Sequence, residues 1–143
     1  MTDIAERTLD PQVAESWIRE CLSLHPEGVE LTVTGACMEP VISEGAKICL
    51  GVPKRDLRVG DIVLLRTASG LRLHRILVRF GRYIRTKGDQ GAYLDPPSNP
   101  QAVIAAFRSR ESWTLRAARV ALSLSRLLLR RPGWSREEAL RLR

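Results

Sequence analysis

Cysteine is scarce in this chain. The 143 residues hold three, Cys21, Cys37 and Cys49, an odd number without disulfide-framework spacing, as expected in a reducing compartment. There is no Cys-x-x-Cys pair. A zinc site drawn from Cys21, His25, Cys37 and Cys49 lacks that signature, so no metal and no cofactor are expected. Long apolar runs are missing too. No stretch approaches the roughly 20 apolar residues of a spanning helix, and Met1 to Leu9 is a polar start without the apolar core of a signal peptide. Acidic residues are few at one end only. Residues 1–107 carry 13 Lys/Arg and 13 Asp/Glu, whereas residues 108–143 carry ten Arg against three Glu, which accounts for the whole net charge of +7.

What is present divides into three parts: an N-terminal helical segment (1–28), a β domain (29–107) and a basic amphipathic helical tail (108–143). At this length the chain is one domain, able to bury a core without staples. Asp10-Pro11 reads as an N-cap with proline in the first turn. Val13, Trp17, Ile18 and Cys21 then recur at helical spacing, which predicts an amphipathic helix ending at His25-Pro26 and packed on the β core, with Trp17 in the core or an interface. His25 reads as a helix-end residue.

Strands are predicted at Val29–Thr34, Ala46–Leu50, Ile62–Arg66, Leu71–Arg79, Tyr83–Lys87 and Val103–Phe107. Ile62 to Leu65 is continuously apolar, as in a strand covered on both faces. In Leu71–Arg79 the period of two places Leu71, Leu73, Arg75, Leu77 and Arg79 on one face, and Arg72, His74, Ile76 and Val78 on the other. Ser43 reads as a turn residue and Asp61 as a turn-former.

The first strand runs into Gly35-Ala36-Cys37-Met38-Glu39-Pro40. Glycine opens backbone angles closed to other residues, and proline fixes its own φ while restricting Glu39. The result is a constrained turn that displays one small nucleophilic side chain, the thiol of Cys37. Taken alone, a cysteine here is as readily a small buried hydrophobe. Downstream, in order, come Val59-Gly60-Asp61-Ile62-Val63, Leu73-His74-Arg75-Ile76, Thr86-Lys87-Gly88-Asp89 and Asp95.

This series of motifs, across residues 29–106, resembles the LexA and type I signal peptidase superfamily of serine proteases. It is most similar to the branch with the pattern Ser-Met-x-Pro, Gly-Asp-Ile-Val, His-Arg, Lys-Gly-Asp and a further Asp. The resemblance implies that Cys37 stands where the family has its nucleophilic serine, and His74 on the general base. It places Asp95 on the triad acid and Asp89 on the acid of Lys-Gly-Asp. The departure is the thiol in place of the hydroxyl. The chain is then either a cysteine-type peptidase or a degenerate relative that binds a peptide or partner without cleaving it. The implied fold is mainly β (α+β), a signal-peptidase/LexA-like β-rich domain flanked by an N-terminal helix and a C-terminal amphipathic helix.

A thiol beside an imidazole can ionise to a thiolate–imidazolium pair that attacks a carbonyl without a strong base. A carboxylate partner holds the imidazole in the productive tautomer. Either Asp95 or Asp89 could fill that place. An oxyanion hole would come from backbone N–H groups around Cys37, those of Gly35, Ala36 and Met38. Some relatives carry a hydroxyl two residues before the nucleophile, a position occupied here by Gly35. The resemblance further implies a limited cut in a precursor or leader peptide. Membrane-bound members have an anchor before the nucleophile motif, whereas relatives lacking one include maturation proteases for nickel superoxide dismutase. The expected location is therefore cytoplasmic, or peripheral at the inner face of a membrane.

In the tail, Arg116, Arg119, Ser123, Arg126 and Arg130 fall on one narrow stripe of a helix over Trp113–Arg130, with Leu, Val, Ala and Trp113 filling the rest. These arginines argue against a spanning helix. The pattern fits an interfacial helix on anionic lipid, or equally a helix docked on this domain or on a second copy. Nucleic acid is the least favoured partner, because the apolar face is broad and no helix-turn-helix accompanies it. A Ser-capped final helix is expected from Ser135.

Overall fold

The computed structural model of the chain describes residues 10–108 and 112–128. Helix α1 (Pro11–Leu24) begins where Asp10 accepts a hydrogen bond from the Gln12 N–H, with proline in the first turn, and His25 caps its other end. Six strands follow: β1 (Val29–Thr32), β2 (Lys47–Gly51), β3 (Ile62–Thr67), β4 (Gly70–Phe80), β5 (Tyr83–Lys87) and β6 (Val103–Phe107). They form one antiparallel sheet in the order β1-β2-β6-β3-β4-β5. Helix α2 (Trp113–Leu128) closes the described chain. The result is a β-rich, α+β architecture. The expected frayed start, the last residues of the Trp113–Arg130 stripe and the final helix lie outside the described residues.

Strand β3 is the spine, and its alternation feeds two separate cores. Ile62 and Leu64 join Leu73, Ile48, Leu50, Ile104 and Met38 in one cluster, with Ile18 and Leu22 of α1 packed over it. Val63 and Leu65 join Leu57, Ile76, Ile84 and Val103 in the other. The continuous apolar run in β3 is thus explained by burial on both faces. Of the two places expected for Trp17, the core is not the one seen: it is half-exposed on α1, and Ile18 and Leu22 do the packing.

Strand β4 carries the residues that matter most. Pairing of Val63 with His74 and of Ile62 with Arg75 sends His74 to the Val63 side and Arg75 to the other. The alternation holds as far as Ile76. Between Ile76 and Val78 the pairing with β5 shifts, so the simple period of two fails beyond that point, and Val78 and Phe80 are exposed. The loop between β1 and β2 turns at residues 37–41 around a cis Glu39–Pro40 bond. In that turn Met38 is fully buried and belongs to the first core.

Candidate active site

Three segments that are far apart in the sequence converge at the C-terminal end of β5. The first is the stretch after β5, which doubles back along that strand. There the Asp95 N–H donates to Thr86 O at 2.8 Å, Arg85 Nε donates to Asp95 O at 3.0 Å, and Ser98 pairs with Ile84. This lacing aims the carboxylate. Asp95 Oδ2 accepts from His74 Nδ1 at 2.5 Å and from Thr86 Oγ1 at 2.6 Å. With Nδ1 committed to the carboxylate, His74 has Nε2 left for a reacting group.

That second nitrogen faces the turn of Cys37. Gly88 marks the meeting point, because a Cβ placed there would stand 3.2 Å from His74 Nε2, 3.2 Å from Cys37 Cβ and 2.7 Å from Cys37 O. Only a residue without a side chain fits between the two. The Gln90 N–H donates to Cys37 O at 3.0 Å and fixes the turn from the other side. The Cys37 sulfur is half-buried and lies 3.9 Å from Leu73 O, the carbonyl next to His74.

Burial alone would push the His74 pKa down, but hydrogen bonds to Asp95 and to the Cys37 sulfur, with the charges of both, outweigh it and raise it to about 9. Burial likewise pushes Asp95 up, yet the bonds from His74 and Thr86 hold its carboxyl below the usual carboxylate range. An imidazole with these neighbours is an imidazolium at neutral pH. As a base for a neutral hydroxyl it would be poor. As a cation it is well placed to stabilise negative charge beside it.

Asp89, the other acid carried over by resemblance, sits elsewhere. Its two oxygens accept from Arg75 Nε and Nη2, each at 2.9 Å, in a bidentate pair whose guanidinium also donates to Gly60 O. Arg75 is fully buried and Asp89 nearly so. Asp89 therefore does not hold the imidazole; it neutralises a buried cation on the opposite side of β4. The competition between the two acids is resolved by strand parity, since Arg75 and His74 are neighbours pointing apart.

The turn supplies backbone donors in part. The Gly35 N–H is taken by Glu44 Oε1 at 3.1 Å, which removes it from an oxyanion role. Glu39, Val41 and Ile42 donate to carbonyls within the turn. The N–H groups of Ala36, Cys37 and Met38 have no acceptor among the described residues. Met38 can serve through its backbone; its side chain is core. Ala36 accepts at its carbonyl from the Glu39 N–H. Ser43 is an exposed turn residue, and Asp61 orders its loop by accepting from the Arg58 N–H at 2.8 Å.

Three residues of this neighbourhood, Thr86, Lys87 and Gly88, were given no role from the sequence, and Ser123 was read only as part of the tail stripe. Thr86 and Gly88 lie inside the Thr-Lys-Gly-Asp motif, whose conspicuous members are the charged ones. Lys87 is fully buried, with Nζ donating to Gly88 O at 3.1 Å and to Ser123 Oγ at 2.9 Å, and its burial lowers its pKa. Ser123 is itself buried on α2, so this Ser–Lys pair is sealed from a peptide chain.

Helix α2 sits on the domain by its polar stripe. Arg116 pairs with Asp61 at 2.7 Å, Ser123 meets Lys87, and Arg126 donates to Asp89 O at 2.8 Å. Of the placements the stripe allows, on anionic lipid or docked on this domain or a second copy, docking on this domain is the one seen: Asp61, Lys87 and the Asp89 carbonyl meet it. Trp113, Leu115, Leu122 and Leu124 point outward, Trp113 at 79% exposure. Among the described residues no helix is long and apolar enough to cross a membrane, and no group of three or more metal-ligating side chains comes together. No protein-family model, curated protein or solved structure matches the chain.

Proposed function

We propose that this chain is a signal-peptidase-like endopeptidase that makes a limited cut in a precursor or leader peptide. Cys37 is the nucleophile, His74 its proton partner and Asp95 the carboxylate that orients His74. The observation that carries the reading is the convergence of Thr86, Asp95, His74 and Cys37, with Nδ1 of the imidazole bound to Asp95 Oδ2 at 2.5 Å and Nε2 meeting the Cys37 turn at Gly88.

In the first half-reaction the Cys37 thiolate attacks the scissile carbonyl, forming an S–C bond and an oxyanion directed at the backbone N–H groups of Cys37 and Met38. The C–N bond then breaks as the imidazolium of His74 gives its Nε2 proton to the leaving amine, and a thioester remains. In the second half-reaction water adds to the thioester, His74 accepts the proton from that water, and the thiolate leaves. The carboxylate of Asp95 stays ionised throughout and stabilises the imidazolium. The exposed side chains of Trp113, Leu115, Leu122 and Leu124 on α2 are available to a membrane or to a second copy.

The test is a cleavage profile. Full-length wild type, Cys37→Ala, Cys37→Ser and His74→Ala are incubated with a proteome-derived peptide mixture, and new termini are read by mass spectrometry. Wild type is expected to generate a restricted set of cuts, Cys37→Ala none, and Cys37→Ser a weaker set that grows toward alkaline pH as the imidazolium loses its proton. Equal cleavage by wild type and Cys37→Ala would overturn the proposal. A wild type that enriches certain peptides intact would favour the binding-module reading.

A further inference from the structure

Helix α2 is hydrogen-bonded to the site along Lys87 to Gln90, the segment that holds the nucleophile turn, and Pro40 of that turn lines a small pocket with Arg119, Leu122, Ser123 and Arg126. The chain of contacts is short. On the side of the site, Gly88 abuts Cys37 and His74 Nε2, and the Gln90 N–H binds Cys37 O. On the side of the helix, Ser123 Oγ accepts from Lys87 Nζ, which also donates to Gly88 O, and Arg126 Nη1 donates to Asp89 O. The Asp89 side chain between them is fixed by Arg75. Every backbone carbonyl from Gly88 to Asp89 is thus bound by a cation that α2 either carries or orients.

From this geometry we infer that α2 is a positioning element of the site: Ser123 and Arg126 clamp the Lys87–Gln90 segment, and the clamp sets the approach of Cys37 to His74. The inference rests on the reading of Cys37 and His74 as a working pair, and gives the basic tail a part in that work.

Two features support a positioning role over simple packing. First, the contacts are polar and directional. Lys87 is fully buried and Ser123 nearly so, and a buried ammonium has few partners to choose from, so the Ser123 hydroxyl and the Gly88 carbonyl define where it sits. Second, the larger apolar side chains Trp113, Leu115, Leu122 and Leu124 stay exposed, while Val120 and Leu127 are half-buried. A helix retained for hydrophobic burial would cover them. This one presents its arginines and its serine, to the segment that carries Gly88.

A separate contact at the other end of the helix provides the control. Arg116 pairs with Asp61 and leans over Gly60. That pair anchors α2 to the β3 approach without touching residues 87–90.

The test uses the full chain with Ser123→Ala, Arg126→Ala, their combination, Ser123→Thr and Arg116→Gln. Two quantities are read in each: the pH profile of iodoacetamide alkylation at Cys37, and the hydrogen-exchange rate of the Gln90 amide. Because small misplacements of a reacting group are costly, the double variant should lose about tenfold in Cys37 alkylation at pH 6. Its low-pH reactivity should fall to that of Cys21 and Cys49. Local loosening should speed Gln90 exchange by about tenfold. Ser123→Thr, which keeps the hydroxyl, should retain both properties. Arg116→Gln should lower the thermal midpoint and leave both unchanged.

A double variant with the wild-type profile and wild-type Gln90 protection overturns the inference, as does an Arg116→Gln variant that moves both as far. If wild-type Cys37 already titrates as an ordinary thiol, the peptidase reading fails and Gln90 exchange decides the clamp by itself. Should the double variant not fold, Ser123→Ala, which removes one oxygen, is read against Ser123→Thr.

Discussion

Gly88→Ala is the smallest change that should separate nucleophile from base. The backbone at Gly88 is not in the left-handed region, so alanine meets no conformational penalty and the effect is steric. Its new methyl would stand 2.7 Å from Cys37 O, and ordinary contact begins at 3.4 Å. The turn or the segment must therefore give way by about 0.7 Å. Neither side is a flexible side-chain end: one is the carbonyl that binds Gln90 N–H, and the other is backbone tied to β5. Inserting a methyl into such a place costs about 1–3 kcal/mol. A displacement approaching 1 Å costs a reacting pair up to about a hundredfold in rate.

The assay is a pair of measurements on folded protein, urea denaturation and an NMR titration of the His74 ring. Stability should fall within the overpacking range. The His74 pKa should drop from about 9, because the sulfur that helps raise it is moved away while Asp95 stays in place. A Gly88→Ala protein with unchanged stability and an unchanged His74 titration would refute the close approach of the three residues.

The two acids should respond differently to removal. Asp89→Ala leaves Arg75 buried without its bidentate partner and should cost about 3–5 kcal/mol in denaturant unfolding. Asp95→Asn should cost less in stability but lower the His74 pKa and suppress cleavage, since the amide no longer fixes the tautomer; equal stability losses would contradict the separation of roles. The pH dependence of folding follows from His74. A group whose pKa is raised on folding stabilises fully below its unfolded value and loses that contribution as pH climbs through the folded one. For a rise from 6.5 to about 9, the ceiling at 1.36 kcal/mol per unit is about 3 kcal/mol. Urea midpoints should fall between pH 6.5 and 9, and His74→Gln should flatten that decline. A wild type equally stable at both pH values would contradict it.

Much of the scaffold was legible in the sequence because each element announces itself locally. Asp10-Pro11 starts α1 where a capping side chain and a first-turn proline should, and the six strands fall within a residue or two of their apolar runs. What the sequence could not convey depends on pairing. The β4–β5 irregularity between Ile76 and Val78 breaks a period that looks regular on paper. The choice between Asp89 and Asp95 depends on which face of β4 each approaches, and no one-dimensional spacing carries that. Helix α2 was legible as a helix, and its amphipathic pattern was correct. The side that faces the domain was not, because the pattern tells where apolar residues gather but not that buried Lys87 and Asp89 await a polar stripe. Thr86 and Gly88 were hidden for a related reason: a hydroxyl and a missing Cβ acquire meaning only when Asp95, His74 and Cys37 surround them.

The central claim is that Cys37 and His74 form a thiolate–imidazolium pair, and site-resolved alkylation tests it without any substrate. Folded protein is treated with iodoacetamide from pH 5 to 9, and Cys21, Cys37 and Cys49 are followed separately by peptide mass spectrometry. The account predicts that Cys37 alone reacts at the acid end, and that His74→Ala abolishes this reactivity while Cys21 and Cys49 are unaffected. A Cys37 that reacts no faster than its two companions, or that keeps its low-pH reactivity in His74→Ala, would contradict it.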